Sequence, residues 1–275
     1  MSTPGAKKKT YIIWFMWTHF LRTVKETTDG LRAPRGVYCP QEIVDQIVDY
    51  ISDDRATLLA CTRLSRVWCI AARHHLYRTF KVSGSAGLKA INDLKTMGMI
   101  HLIKRMIATR KTNQADFLSP PKALARLNLF THLQELHFRY LDVGRLVFRL
   151  HEDCDTLRST VRTLALRTPT GSTTRIACFI GLFSKLENLT VENIDAVVTD
   201  DFQLPVIECP PPLTGQLTLS GISNLDFFCD LASIPKEVGF REVGLHCCQE
   251  VQDIIDACAG TMERLTWHSS GSNGG

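Results

Sequence analysis

The clearest periodic stretch of the chain begins at Pro40. Ile43, Ile47 and Ile51 recur at i, i+4 and i+8, with Val44 and Val48 beside them. That is the broad apolar stripe of an amphipathic helix. Pro40 suits the first helical position, and Glu42 suits the positive end of the helix dipole. Ser52-Asp53-Asp54 supplies breaker and N-cap chemistry. Residues 56–63 then read as a second helix carrying Leu58, Leu59 and Cys61. A third apolar set follows with Val67, Trp68, Ala71, Leu76 and Tyr77, closing at Phe80. The pattern predicts a small all-α module of three short helices over 37–82.

Beyond residue 82 the pattern changes to apolar-x-x-apolar-x-apolar. It recurs as Leu133/Leu136/Phe138, Val161/Leu164/Leu166, Leu186/Leu189/Val191, Phe240/Val243/Leu245 and Met262/Leu265/Trp267. A weaker copy places Thr214 before Leu217 and Leu219, and the weakest is Ile103/Met106/Ala108. The middle positions 136, 164, 189, 217, 243 and 265 are 28, 25, 28, 26 and 22 residues apart, within the 20–29 window of leucine-rich repeats. Helical patterns lie between the short strands at 143–157, 174–183, 225–231 and 250–259. One strand plus one helix per unit resembles the leucine-rich arrangement, so residues 83–267 are expected to form an irregular leucine-rich-repeat-like α/β solenoid. The expected polar ladder is mostly missing: Cys248 fits it, whereas Leu141, Pro169, Ile194 and Ile222 do not. Pro205, Pro210, Pro211 and Pro212 replace one helix by a loop. The last strand is followed by a polar tail at 268–275, expected to be disordered. Either the array is truncated or its last strand edge is exposed and adhesive.

The helical module carries a resemblance. Cys39-Pro40-Gln41-Glu42-Ile43, Ile47, Ile51, Asp54, Leu58-Leu59-Ala60-Cys61, Leu64-Ser65-Arg66-Val67-Trp68 and His75-Leu76-Tyr77-Arg78 follow the order and spacing of an F-box. It is most similar to the F-box sets of mushroom-forming fungi. Cys39 stands where the family has Leu, and Leu64-Ser65 where it has Val-Cys. The resemblance implies docking on the Skp adaptor of a cullin-based ubiquitin ligase, through Pro40, Glu42, Ile43, Ile47, Leu58, Leu59 and Trp68. A module this small also buries little surface alone.

Composition narrows the alternatives. The 275 residues are 44% hydrophobic and 22% charged, an ordinary globular mix that excludes wholesale disorder. The net charge of +4 is unevenly placed. Residues 1–35 hold seven Lys/Arg against Glu26 and Asp29, a surplus of 5, so the remaining 240 residues sum to −1. The body therefore shows no basic stripe of the kind nucleic-acid binders carry. Residues 1–36 are expected to lie outside the fold. Lys7-Lys8-Lys9 before the apolar run 11–21 has the beginnings of a signal peptide without a small-residue cleavage site. A leader, a misassigned first exon, membrane-surface contact of 11–21 and a true signal stay open. Ten cysteines without a CxxC read as reduced, which places the protein in the cytoplasm or nucleus.

Catalytic patterns are few. His151-Glu152-Asp153-Cys154-Asp155 lacks the second His of a zincin helix. His246-Cys247-Cys248 could hold a soft metal only with distant partners. His74-His75 is expected to face solvent, and Ser83–Gly87 reads as a hinge. No catalytic residue, cofactor or metal is expected. The chain is expected to be a non-enzymatic substrate receptor binding a Skp-type adaptor, through it a cullin, and a target protein. Period-2 geometry nominates the between-apolar positions of three strands for the target: Gln134, Glu135, His137, Arg162, Thr163, Ala165, Glu187, Asn188 and Thr190. A protein-binding scaffold outside ubiquitination, a truncated F-box paralogue, and a secreted leucine-rich protein are the alternatives.

Overall fold

The computed structural model describes residues 39–110, 126–143, 154–196, 213–222, 238–246 and 252–268, with a few single residues between them. The leader at 1–36, the loop at 200–212 and the tail beyond 268 lie outside the described residues. Among the described residues the chain is mixed α/β, with seven α-helices and an eight-stranded parallel sheet. It divides into two compact units, 1–72 and 73–275.

The first unit is helical. Helix α1 spans Gln41–Tyr50, α2 Arg55–Cys61, and α3 Arg66–Leu76 runs across the division at 72. Pro40 is the N-cap of α1, with φ −53° and ψ 144°, one position earlier than its composition suggested. Helix α2 starts where Asp54 caps it: one carboxylate oxygen accepts from the amides of Ala56 and Thr57 at 3.0 and 3.2 Å. The buried apolar side chains are Val44, Val48, Ile51, Leu58, Cys61, Ala71 and Ala72. Three helices are the coarse result, and helical geometry alone does not name a family.

The second unit is built on the sheet. Its strands are β1 (Thr79–Val82), β2 (Arg105–Thr109), β3 (Glu135–Arg139), β4 (Thr163–Arg167), β6 (Asn188–Glu192), β8 (Leu213–Ser220), β9 (Val238–His246) and β10 (Arg264–His268), in that spatial order. Strands β5 (Thr170–Gly171) and β7 (Asp195–Ala196) pair separately. Every neighbour in the large sheet is parallel, so each connection crosses over. Helix α4 (Gly84–Thr96) joins β1 to β2, α5 (Asp155–Thr160) precedes β4, α6 (Thr173–Gly181) precedes β6, and α7 (Gln252–Cys258) joins β9 to β10.

Register carries the same side-chain rows across all eight strands. Met106, Leu136, Leu164, Leu189, Leu217 and Val243 align, as do Ala108, Phe138, Leu166, Val191, Leu219 and Leu245. All twelve are at most 2% exposed and belong to one core. Both ends of the strands are also repeated. At the start, two successive amides donate to one carbonyl of the preceding strand, as Arg162 and Thr163 do to Gln134. Just past the end, Tyr140, Thr168, Asn193 and Gly221 all take positive φ, between 48° and 63°. Their amides donate in turn to Arg167, Glu192, Ser220 and His246.

Several expectations are corrected here. The expected irregular solenoid is not found, and the second unit is an eight-stranded parallel sheet with register offsets of 26, 30, 28, 25, 28, 26 and 22 residues. Its connections also differ in kind, and between β2 and β3 the only complete described element is the 3-10 turn Arg126–Leu129. The segment 79–82 does not close the helical module but forms the first strand, because Val82 is 1% exposed in the sheet's own core. Ser83–Gly87 is no hinge. Gly84 to Gly87 open α4, and a Cβ on Gly87 would stand 2.3 Å from Val82 Cγ2, so that glycine lets helix and strand touch. The helix expected over 143–157 is interrupted at Cys154, whose φ −128° and ψ 44° are not helical. Leu213 rather than Thr214 enters the core, because it alternates strictly with Leu217 and Leu219, and the extra residue of the bulge opposite Gly215 and Gln216 is Arg241 on β9.

Candidate protein-binding surfaces

Helix α1 has more apolar positions than one side of it can bury. Val44, Val48 and Ile51 face inward. Ile43, Ile47 and Tyr50 lie at i, i+4 and i+7, a neighbouring row. Ile43 is 44% exposed, Tyr50 is exposed too, and Ile47 is half-buried. On α2 the two consecutive leucines separate: Leu58 is 2% exposed and Leu59 is 46%. Leu64 and Ile70 are exposed as well. Pro40 and Glu42 are exposed at the start of α1, and Trp68 is half-buried on α3. Of the seven expected docking residues, Leu58 is therefore internal, whereas Ile43 and Leu59 are apolar surface. Asp54 supports the exposed end of α2. Its other oxygen accepts from the Thr57 hydroxyl at 2.6 Å, and these Thr57 bonds hold the carboxyl below the ordinary aspartate range.

The outward face of the sheet is made of three rows. The first contains Arg105, Glu135, Thr163, Asn188, Gln216, Glu242 and Arg264. The second contains Lys81, Ile107, His137, Ala165, Thr190, Thr218, Gly244 and Thr266. The third contains Thr109, Arg139, Arg167, Glu192, Ser220, His246 and His268. Glu135, Thr163 and Asn188 thus share one row, and His137, Ala165 and Thr190 the next. Gln134, Arg162 and Glu187 stand one residue before their strands, exposed at the rim. The Gln134 carbonyl is taken up by the amides of Arg162 and Thr163. The third row was not among the nominated residues, because it lies beyond the last apolar position of each repeat. Strict alternation continued by two residues would have found it.

Cross-strand pairs tie the rows together. Arg105 binds Glu135, Arg162 binds Glu187, and Arg167 binds Glu192. Arg264 meets Glu242 at 3.0 Å, and the Asn188 amide donates to the Thr163 hydroxyl at 3.3 Å. His137 sits beside the first pair, with Nε2 3.9 Å from a Glu135 oxygen. Burial pushes its imidazole below the ordinary value, Arg105 adds to the shift, and Glu135 opposes it. Across the second row from Ala165 to Thr266 no side chain is larger than threonine, leaving a shallow trough between two polar rows.

Among the described residues no group of three His, Cys, Asp or Glu is placed to hold a metal. His246 does gain a distant neighbour: the His268 ring stacks on it at 4.4 Å. Cys247 and Cys248, like Glu152 and Asp153, lie outside the described residues. Burial pushes the thiols of Cys61, Cys178 and Cys258 up, which keeps them protonated and weakly reactive. Among the described residues no helix is long and apolar enough to cross a membrane. No protein-family model matches the chain, and no curated protein matches it.

Proposed function

We propose that the chain is a substrate-receptor subunit of a Skp-cullin-F-box ubiquitin ligase. In this reading the helices at 41–76 are an F-box that docks on a Skp-type adaptor, and the outward face of the sheet holds a target protein. One observation carries it. Ile43, Tyr50, Leu59, Leu64 and Ile70 are 44–50% exposed within a unit whose described residues bury seven hydrophobic side chains. An apolar excess on so small a unit is what a protein partner covers. Ile43 and Leu59 are also among the positions that match the F-box pattern. The sheet is read as an irregular leucine-rich-repeat-like domain, supported by its sequential parallel strand order. The receptor breaks no bond itself. It raises the effective concentration of the target near the ubiquitin-charged enzyme.

The test is co-expression with a Skp adaptor, followed by affinity capture and size-exclusion chromatography. The unsubstituted chain is expected to co-elute. Ile43→Asp with Leu59→Asp should abolish co-elution while the far-ultraviolet spectrum stays the same, since both side chains are already exposed. Adaptor binding that ignores both substitutions, or no binding by the unsubstituted chain, would overturn the ligase reading. In the second case the sheet would remain as a binding scaffold outside ubiquitination.

A further inference from the structure

We propose that the outward face of the sheet at β1–β4 takes an acidic, extended segment of a partner protein, gripped by Lys81 and Arg139 and anchored on Tyr140. The proposal rests on the reading of this face as the target surface, and it names the chemistry of what binds there.

Charge is the first argument. On the outward rows, β1–β4 carry Lys81, Arg105, Arg139 and Arg167 against Glu135 alone, whereas β6–β10 carry Glu192, Glu242 and Arg264. One end of the face is thus cationic and the other slightly anionic. Arg105 is engaged by Glu135 and Arg167 by Glu192. Among the described residues neither Lys81 nor Arg139 has an ion-pair partner. The positive charge is therefore available on β1 and β3, since the one acid on Arg139's row, Glu192, is already held by Arg167. Asp142, beyond the end of β3, is the nearest acid along the chain, and its backbone pairs with Thr170.

Shape and rigidity are the second argument. Successive outward rows lie two residues, or ~6.6 Å, apart along the strands. The slot over the middle row is therefore about 13 Å between its flanking rows, and their long side chains narrow it further. A single extended chain fits there with room for its side chains, whereas a helix 10–12 Å across would fill the whole width. Along β1–β4 its floor is Lys81, Ile107 and His137, and it drops at Ala165 on β4. At the edge of the slot Tyr140 is 49% exposed, yet its backbone is fixed: φ is 58° and its amide donates to the Arg167 carbonyl at 3.0 Å. This left-handed backbone is the turn repeated at Thr168, Asn193 and Gly221, and here it holds the backbone beneath an exposed aromatic ring. An exposed tyrosine between arginines is also the composition of an interface hot spot. A phosphate backbone is the poorer fit, because its regularly spaced charges cannot avoid Glu135 and Glu192.

The test uses the full chain and a fluorescein-labelled peptide of repeated Glu-Gly-Asp-Ser, read by anisotropy. The expected result is binding that weakens as salt rises. Lys81→Glu with Arg139→Glu should lose about tenfold or more in affinity. Tyr140→Ala, which removes the ring without adding charge, should also weaken binding. Lys7→Glu with Lys8→Glu, in the basic N-terminal arm, should not. No binding by the unsubstituted chain up to about 1 mM overturns the proposal. So does a Lys81/Arg139 variant that binds normally, a loss that follows the N-terminal variant, or an RNA oligonucleotide of equal length that binds as tightly. Adaptor capture measured on the same preparations separates the two readings. Capture without peptide binding sinks only this proposal, and peptide binding without capture sinks only the ligase.

Discussion

The two units of this chain spend their hydrophobic residues differently. Among the described residues the helical unit buries seven apolar side chains and leaves five large ones exposed. The sheet unit gathers its rows into one continuous core, and the large hydrophobic side chains exposed among its described residues are Met97, Tyr140, Leu265 and Trp267. Two of those four are on β10, at the sheet's edge, where their rows have no further strand to meet. The difference follows from geometry. A parallel strand adds to rows already built, so each repeat finds its core waiting. A short helix in a three-helix cluster can bury only one stripe, and any second apolar row is left for solvent or a partner.

The largest effect that could break this comparison lies in the sheet. Phe179, on α6, is fully buried and meets Phe138 and Phe183 edge-on, with ring centres 5.7 and 5.4 Å away. Phe179→Ala should cost about 3–5 kcal/mol. Denaturant unfolding followed by hydrogen exchange should show protection lost across β3, β4 and β6 together. Loss confined to α6 would mean that the rows are not one cooperative core.

The next test sits within the helical unit. Leu58→Ala should cost about 2–5 kcal/mol as a buried truncation. Leu59→Ala should stay within about 0.5 kcal/mol and instead weaken adaptor capture. Equal effects of the two on folding would remove the distinction between core and docking leucine, and with it the apolar surplus.

How much of this was legible depended on which physical rule spoke. Strict alternation placed Leu136/Phe138, Leu164/Leu166, Leu189/Val191 and Val243/Leu245 on the inward face, and there they are. Even the weakest copy, Met106/Ala108, is a strand in register with them. Glu135, His137, Thr163, Ala165, Asn188 and Thr190 were legible as outward positions by the same rule. Helix periodicity could not say which of two adjacent rows on α1 faces in, since 43/47/51 and 44/48 are both apolar. Strand β1 was missed because it is only four residues long, and the two inward side chains Phe80 and Val82 are too few to show a period. The bulge beside Gly215 was missed because one extra residue is invisible until two strands are paired. The left-handed positions were hidden for a further reason: of Tyr140, Thr168, Asn193 and Gly221, only the last two are residue types that favour that backbone.

That last point gives a smaller prediction. Thr168 holds φ 48°, a true outlier for a β-branched residue. Thr168→Asn should raise stability by about 1 kcal/mol by relieving it. Gly221→Ala should lower stability, because its Cβ would stand 2.2 Å from Asn193 Oδ1 at φ +63°. A melting-temperature pair that moved in the same direction for both variants would show that the repeated turn does not set the strand ends.

Acid should separate the two units by pH rather than by size of effect. The neutral form of His137 is favoured in the fold, so the unfolded chain binds a proton there first. Stability from this group is full above its ordinary value of 6.5 and falls as pH drops below it. Asp54 is the reverse kind of group. Its charged form is favoured in the fold, so its stabilisation is full above 3.8 and is lost as pH falls through the lowered folded value. The sheet should therefore begin to soften near pH 6, while the cap of α2 persists until the medium is strongly acidic. Hydrogen exchange at pH 7, 5.5, 4 and 2.5 would show β3 losing protection before α2. His137→Gln should flatten the first loss, and Asp54→Asn, which still caps without titrating, the second. Loss of α2 protection already at pH 5.5 would mean that the helical unit depends on a group other than its cap.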